Sequence, residues 1–184
     1  MPISVARMEI TQREDDRLVI RKGGVEDLPA VLAMLDSAVA WLTARGRPGQ
    51  WGTEPFSARP ASVDRIRDNL ASATAWIAEC DGIPVGTLTL APRPSEYVEP
   101  AGEPEVFIRL LVTDRRRAGR GTGAALLAHA VRETRRQGVD LLRVDCYAGD
   151  DGRLVAYYRG QGFVPTETFR VGDWPGQVLE RRVG

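Results

Sequence analysis

Lysine is almost absent from this chain. Lys22 is the only one, so all but one of the 25 basic residues are arginines. Histidine is as scarce. His129 stands alone, which removes support for a histidine-based metal site or a catalytic triad built on histidine. The 2 cysteines, Cys80 and Cys146, fall in predicted strands with neither C-x-x-C nor metal-ligand spacing. They read as buried free thiols of a reducing compartment. Net charge is also missing. The 25 acidic residues balance the basic ones, so nothing global calls for a nucleic acid or an anionic membrane. No apolar run approaches the ~20 residues of a membrane helix, and the N-terminus has no secretory apolar core. A cytoplasmic protein with no metal, nucleic-acid or membrane partner is expected.

What is present fits one globular domain. The chain has 184 residues, 43% hydrophobic and 27% charged, enough to bury a sizeable core. Residues 1–16 are polar and aperiodic and are expected to form a flexible leader, with the domain spanning 17–184. Arg17–Lys22 alternates as a first strand. After Gly23–Gly24, Glu26 and Asp27 open a helix through Val31, Leu32, Met34, Leu35 and Trp41, at helical spacing. A Gly- and Pro-rich loop, Arg45–Pro60, carries Trp51 and Phe56. Such large rings either form a satellite apolar cluster or wall a substrate site. Ser62–Leu70 predicts a second helix with Ser62 as N-cap. Thr74–Cys80 and Ile83–Leu90 predict a hairpin turning at Asp81–Gly82. The loop Pro92–Pro104 and a strand Val106–Val112 follow. A helix Ala124–Gln137 ends at Gly138. Then come a strand Leu141–Cys146, a helix Asp150–Gln161, and strands Phe163–Phe169 and Val178–Arg182 joined by a Gly–Asp–Trp–Pro–Gly turn. This order predicts an α+β fold: a mostly antiparallel, twisted sheet of about seven strands with helices on both faces.

The most informative stretch joins the strand at Val106–Val112 to the helix at Ala124. Gly119, Gly121 and Gly123 sit at the mouth of that helix, where glycine lets backbone N–H groups converge on a ligand. The helix terminus adds unpaired N–H donors and about half a positive charge. Arg115, Arg116, Arg117 and Arg120 surround it. The combination predicts a phosphate site, set against the alternative that these arginines are merely solvated. Gly119-x-Gly121-x-x-Ala124 formally matches a dinucleotide fingerprint. That pattern needs a strand running almost directly into its first glycine, and here Thr113 to Ala118 intervene with no βαβ repeat around them.

Two motifs give a better match. Leu110-Leu111-Val112 followed by Ala118-Gly119-Arg120-Gly121-Thr122-Gly123-Ala124-Ala125-Leu126-Leu127 is one. Tyr158-Arg159-Gly160-Gln161-Gly162-Phe163 is the other. In this order and spacing the sequence resembles the GNAT superfamily of acyl-CoA-dependent N-acetyltransferases, from Arg17 to Arg182. The resemblance implies acetyl-CoA as co-substrate, no metal, and direct acetyl transfer to an amine in a ternary complex. It places acetyl-CoA on Leu111, Val112, Arg117, Ala118, Gly119, Arg120, Gly121, Thr122, Gly123, Ala124, Asp151 and Tyr158. Three departures stand out. Ala118 replaces the usual Gln or Arg, the loop before the glycines is one residue longer, and Asp151 replaces an Asn that contacts pantetheine. Asp151 is equally readable as an N-cap.

The implied catalytic groups are a backbone N–H at Leu111 or Val112 for the carbonyl oxygen and Tyr158 for the departing thiolate. Spacing of four and seven sets Leu154 and Asp151 on the face of Tyr158; Tyr157 points elsewhere and reads as packing. His129 reads as solvated, beside Arg132 and Arg136. No general base is evident. Asp145, Glu105, Glu54 and Asp173 are the carboxylates on or near the expected cleft edges; each reads as a surface or structural group, with a water chain to one of them as the route for the amine proton. Trp51, Glu54, Asp145 and Trp174 are candidate substrate contacts, with Phe56 and Tyr97 as further walls. The acceptor is read as a small-molecule amine. A protein or peptide amine, and a non-catalytic CoA-binding domain, remain open. The assembly expected is a monomer or homodimer, the latter through the C-terminal strand.

Overall fold

The computed structural model describes residues 18–184; the expected leader and Arg17 lie outside them. Seven strands form one sheet: β1 Leu18–Gly23, β2 Thr74–Cys80, β3 Ile83–Ala91, β4 Glu105–Thr113, β5 Leu141–Tyr147, β6 Val164–Val171 and β7 Trp174–Arg182. Their order is β1-β2-β3-β4-β5-β7-β6. Every neighbouring pair is antiparallel except β4–β5. Four helices cover it: α1 Leu28–Thr43, α2 Pro60–Ser72, α3 Thr122–Arg136 and α4 Arg153–Gly160.

Strand alternation sorts the core into two layers. On one face, Leu126, Leu127, Ala130 and Val131 of α3 and Tyr158 of α4 pack on Leu88, Val106, Ile108, Leu142 and Val144. On the other, Val31, Met34, Leu35 and Ala38 of α1 and Ile66 and Leu70 of α2 pack on Ala75, Ile77 and Val112.

The feature that matters most is local. Register between β3 and β4 shifts by one residue at Arg109, since Leu90 pairs with Ile108 and Thr89 with Leu110. This bulge increases the twist of β4 and bends it. Pairing of β4 with β5 runs only from Glu105↔Leu141 to Ile108↔Val144, although both strands continue past that point. A wedge therefore opens between residues 109–113 and 145–147.

Several expectations need correction. α2 begins at Pro60, because proline suits a first helical position whose N–H has no partner; Ser62 is buried inside the helix and does not cap it. α3 starts at Thr122, so Gly123 belongs to it. The last reversal is only Gly172–Asp173, and Trp174, Pro175 and Gly176 are already in β7. β7 lies between β5 and β6, so the C-terminal strand is not an exposed edge; β1 and β6 are the edges.

Candidate active site

The wedge is part of a cleft of about 520 Å³. Leu111, Val112 and Thr113 of β4 form one wall; Tyr147, Gly149, Asp150, Arg153, Leu154, Tyr157 and Tyr158 form the other. The run Arg117–Ala124 closes one end, and Ala38, Trp41, Leu42, Arg47, Gln50 and Trp51 close the other. Of the residues expected at the coenzyme, Leu111, Val112, Arg117, Ala118, Gly119, Arg120, Gly121, Thr122, Gly123, Ala124 and Tyr158 are brought together here, with Trp51 from the substrate set. Glu54, Asp145, Asp151 and Trp174 are outside this lining.

The glycine loop has the shape an anion site needs. Gly119 and Gly121 have φ of 88° and 70°, left-handed values that disfavour any side chain. At Gly123 space is tight instead: a Cβ there would lie 2.7 Å from the Tyr157 hydroxyl, which would have to shift. The opening N–H groups of α3 follow immediately. Charge fits as well, since five arginines (47, 115, 117, 120 and 153) face the cleft against one carboxylate, Asp150.

The loop arginines do not act alike. Asp114 accepts the Arg116 backbone N–H at 3.0 Å and both arms of its guanidinium at 2.8 and 2.9 Å. Burial pushes the Asp114 carboxyl up, but Arg116 more than reverses this and leaves it below its ordinary range. Arg116 thus shapes the turn and does not line the cleft. Arg115 lies on Trp41, 4.3 Å from the ring centre, with Arg45 at 4.0 Å. Arg117 and Arg120 line the anion end, and an Arg120 N–H also reaches Cys80 Sγ at 3.5 Å.

Tyr158 is 5% exposed, its ring held edge-on by Tyr157 at 5.4 Å and Phe163 at 5.7 Å. No side chain or backbone group among the described residues engages its hydroxyl. Burial drives its acidity well below that of an ordinary phenol, with Cys146, Tyr157 and Asp145 adding to the effect. Tyr157, expected to pack elsewhere, is half-exposed and lines the cleft beside it. The helical register drawn through Asp151 fails. Asp150, Asp151 and Gly152 take φ of 55°, 60° and 70°, a left-handed reversal, and α4 starts only at Arg153. Asp150 is the acid that the turn presents.

The four candidate carboxylates separate cleanly. Glu105 is buried against Arg143 at 2.9 Å and accepts the Ala101 N–H at 3.0 Å, so it is structural. Glu54 and Asp173 are exposed. Asp145 is half-buried on β5, one residue past the end of β4–β5 pairing. Burial pushes its carboxyl up to about 6, and only Arg109 and its own backbone N–H oppose this. His129 is not solvated as expected. It is half-buried against Trp76, ring centres 4.2 Å apart, and burial lowers its basicity. It is not part of the cleft lining.

The α1–α2 connection is pinned across the cleft. Trp174 Nε1 donates to the Gln50 carbonyl at 2.9 Å. The Tyr147 hydroxyl lies where a Cβ on Gly49 or Gly149 would be, at 2.1 and 2.2 Å. Trp51 and Phe56 meet edge-on at 5.6 Å and pack on the α1–α2 layer, so Trp51 serves both as core and as wall.

A model of the acetyltransferase (GNAT) family matches residues 37–163, more than half of the chain. The chain belongs to the GNAT acetyltransferase family. This acetyltransferase is 25% identical over 143 residues to an uncharacterized N-acetyltransferase, YesJ of Bacillus subtilis, covering 75% of this chain and 77% of that one. Its fold matches ribosomal-protein-alanine N-acetyltransferase from Brucella melitensis, at 25% identity and a TM-score of 0.61, over 89% of this chain and 99% of that one. It also matches yncA from Salmonella typhimurium, solved with its cofactor acetyl-CoA, at 16% identity and a TM-score of 0.59, over 91% and 94% of the chains. The acetyltransferase is an acyltransferase with acetyl-CoA as donor. The glycine backbone and arginine-lined end fit the anionic head of that donor.

The missed cleft residues (Arg47, Gln50, Tyr147, Arg153 and Tyr157) carry weak sequence signals. Gln50 and Tyr147 are placed by contacts between distant segments. Tyr157 is brought to the cleft beside Gly123 by the placement of α4 against α3.

Proposed function

We propose that this acetyltransferase moves the acetyl group of acetyl-CoA to a primary amine of a small molecule, in the cytoplasm, by direct attack within a ternary complex. The observation that carries this reading is the continuity of the cleft. It runs from the glycine loop, through the β4–β5 wedge, to the Tyr158 hydroxyl. In this reading backbone N–H groups from Gly119 to Ala124, with Arg117 and Arg120, hold the pyrophosphate. The thioester sits in the wedge. There a β4 N–H at Leu111 or Val112, freed from pairing with β5, receives the charge developing on the carbonyl oxygen; one such donor contributes roughly 3 kcal/mol. Tyr158 donates to the departing sulfur.

The pinned α1–α2 connection supports a small acceptor, since it holds Gly49 and Gln50 against Tyr147 and Trp174. A protein amine is the second reading, favoured by the likeness to a ribosomal-protein-alanine enzyme. The basic lining of the cleft supports it less, because an acidic groove would suit a cationic peptide better. Thermal melting with acetyl-CoA, with NAD in parallel, tests the coenzyme site. At about a hundred times its Kd a ligand stabilises by roughly 2.7 kcal/mol. A shift with acetyl-CoA alone, followed by transfer to an amine panel that Tyr158→Phe weakens, is the expected result. No shift would remove the basis of the reading, and binding without turnover on any amine would mark a non-catalytic coenzyme-binding domain.

A further inference from the structure

On the face of the sheet opposite α3 and α4, four aromatic rings form a continuous wall. Tyr97 stacks on Phe169 at 5.3 Å, Phe169 meets Trp174 at 6.1 Å, and Trp174 meets Tyr147 at 5.5 Å. Phe169 lies flat over its cross-strand partner Gly176, where a Cβ would fall 2.2 Å from the ring. The rings are incompletely buried, with Tyr97 50% exposed. Tyr147 belongs both to this wall and to the coenzyme cleft. Alternation along β5 puts Asp145, two residues before Tyr147, on the same face.

Among the described residues Asp145 forms no ion pair, and Arg109 is the cation that acts on it from a distance. Arg143, which precedes it on that face, is committed to Glu105 at 2.9 Å and Glu167 at 2.7 Å. Arg109, across the wedge, gives N–H groups to the carbonyls of Arg93 at 3.1 Å and Pro94 at 2.8 Å. The groups that feel Asp145 electrically are Arg109 across the wedge, Tyr97 on the 92–104 connection, Cys146 beside it and Tyr158 on α4. A half-buried carboxylate in no ion pair among the described residues, on the same face as an open aromatic wall that reaches the cleft at Tyr147, suits one ligand: a cation on an apolar body.

Resting on the acetyl-transfer reading above, we propose that Asp145 and the wall of Tyr97, Phe169, Trp174 and Tyr147 form the acceptor subsite. It takes a primary amine carried on an aromatic or alkyl body, and Asp145 accepts the ammonium proton. The rings contact the body of the substrate, and the ammonium faces the carboxylate. One nitrogen proton passes to Asp145, freeing the lone pair. The N–C bond forms and the C–S bond breaks. The thiolate takes its proton from Tyr158, and the second nitrogen proton restores the Tyr158 hydroxyl as the intermediate collapses. The proton on Asp145 leaves to solvent, so the products are the N-acetyl amine, free thiol and one proton.

The test measures acetyl transfer to 2-phenylethylamine, hexylamine, phenylalanine and a lysine-containing peptide. Phenylalanine adds to phenylethylamine only a carboxylate, which Asp145 would repel. The expected kcat/KM for the two simple amines is at least tenfold above that for phenylalanine or the peptide. Asp145→Asn is expected to lose about 10²–10³-fold at pH 7. Its kcat/KM should keep climbing with pH toward the amine pKa, whereas the wild-type profile levels off above the carboxyl titration. Asp145→Glu should recover part of the loss. Phe169→Ala should raise KM for phenylethylamine severalfold and leave KM for acetyl-CoA unchanged, a result independent of whether the Asp145 variants fold. Reversed acceptor preference, or Asp145→Asn within threefold of wild type with the same profile, overturns the subsite. Loss of both the acetyl-CoA melting shift and all transfer overturns the underlying reading instead.

Discussion

Replacing Tyr158 by phenylalanine removes one oxygen and leaves the ring contacts with Tyr157 at 5.4 Å and Phe163 at 5.7 Å in place. Because that hydroxyl engages no other described group of the protein, stability should hold, with Tm moving by less than about 2 °C, the effect of at most 1 kcal/mol for this size. The effect on turnover follows from proton affinities. An ordinary phenol near ~10 gives its proton to a thiolate near ~8.5 only uphill, by about 2 kcal/mol. Burial raises Tyr158 further and widens the gap. In the proposed mechanism the hydroxyl therefore acts first as a hydrogen-bond donor to the sulfur as charge builds. A hydrogen bond to a charged group contributes about 1.5–3 kcal/mol, which is roughly a 10- to 160-fold loss in kcat. Thiol release at saturating acetyl-CoA and amine measures it, and KM for acetyl-CoA should stay within about twofold. A loss under threefold would refute the reasoning, since the thiolate would then be leaving unassisted. So would a drop in Tm above about 5 °C, which would make the hydroxyl structural.

Four further outcomes are expected. Asp145→Asn should stabilise the protein at pH 7 while disabling it. A carboxyl held at about 6 against an ordinary 3.8 opposes folding once ionised, so the penalty is absent below about pH 4, grows as pH rises to about 6, and reaches roughly 3 kcal/mol at most; equal melting of the two proteins at pH 7 would contradict it. Gly121→Ala places a Cβ at φ 70°, at about 1–2 kcal/mol, lowering Tm by about 2–8 °C and weakening the acetyl-CoA shift; calorimetry with and without the coenzyme reads both. Arg143→Met strands the buried Glu105 carboxylate, with an expected loss of about 3–5 kcal/mol in urea unfolding. Raising ionic strength from 0.05 to 0.5 M shrinks the screening length to a few Å, so KM for acetyl-CoA should rise while kcat changes little, and Arg117→Gln should blunt that salt dependence.

Much of the fold was legible because it is local. Asp81–Gly82 marked the β2–β3 hairpin, Gly138 the end of α3, and alternating or helical apolar spacing most of the elements between. The glycine-loop end of the cleft was legible for the same reason, since strand, glycines and helix start are contiguous. Boundaries failed where local rules competed. Ser62 looked like a cap, but Pro60 satisfies the first turn and Ser62 is carried into the core. Trp174–Pro175–Gly176 carried turn residues, yet pairing with β5 and β6 extended them as strand. His129 seemed solvated on a helical wheel because the wheel shows only its own helix, and Trp76 comes from β2.

By itself, then, the sequence determined the strand and helix content, the glycine turn at the mouth of α3 and the Tyr158–Phe163 closure. Each rests on residues adjacent along the chain, whose backbone preferences need no distant partner. Tertiary structure alone decided that β4 and β5 part at Ile108 and Val144, that Gln50 is tied to Trp174, and that Asp145 is the one candidate carboxylate left half-buried without an ion pair among the described residues. Those facts depend on a bulge expressed only against β3 and on side chains from segments far apart in the chain. Burial and pairing of that kind are properties of packed surfaces, and no local pattern encodes them.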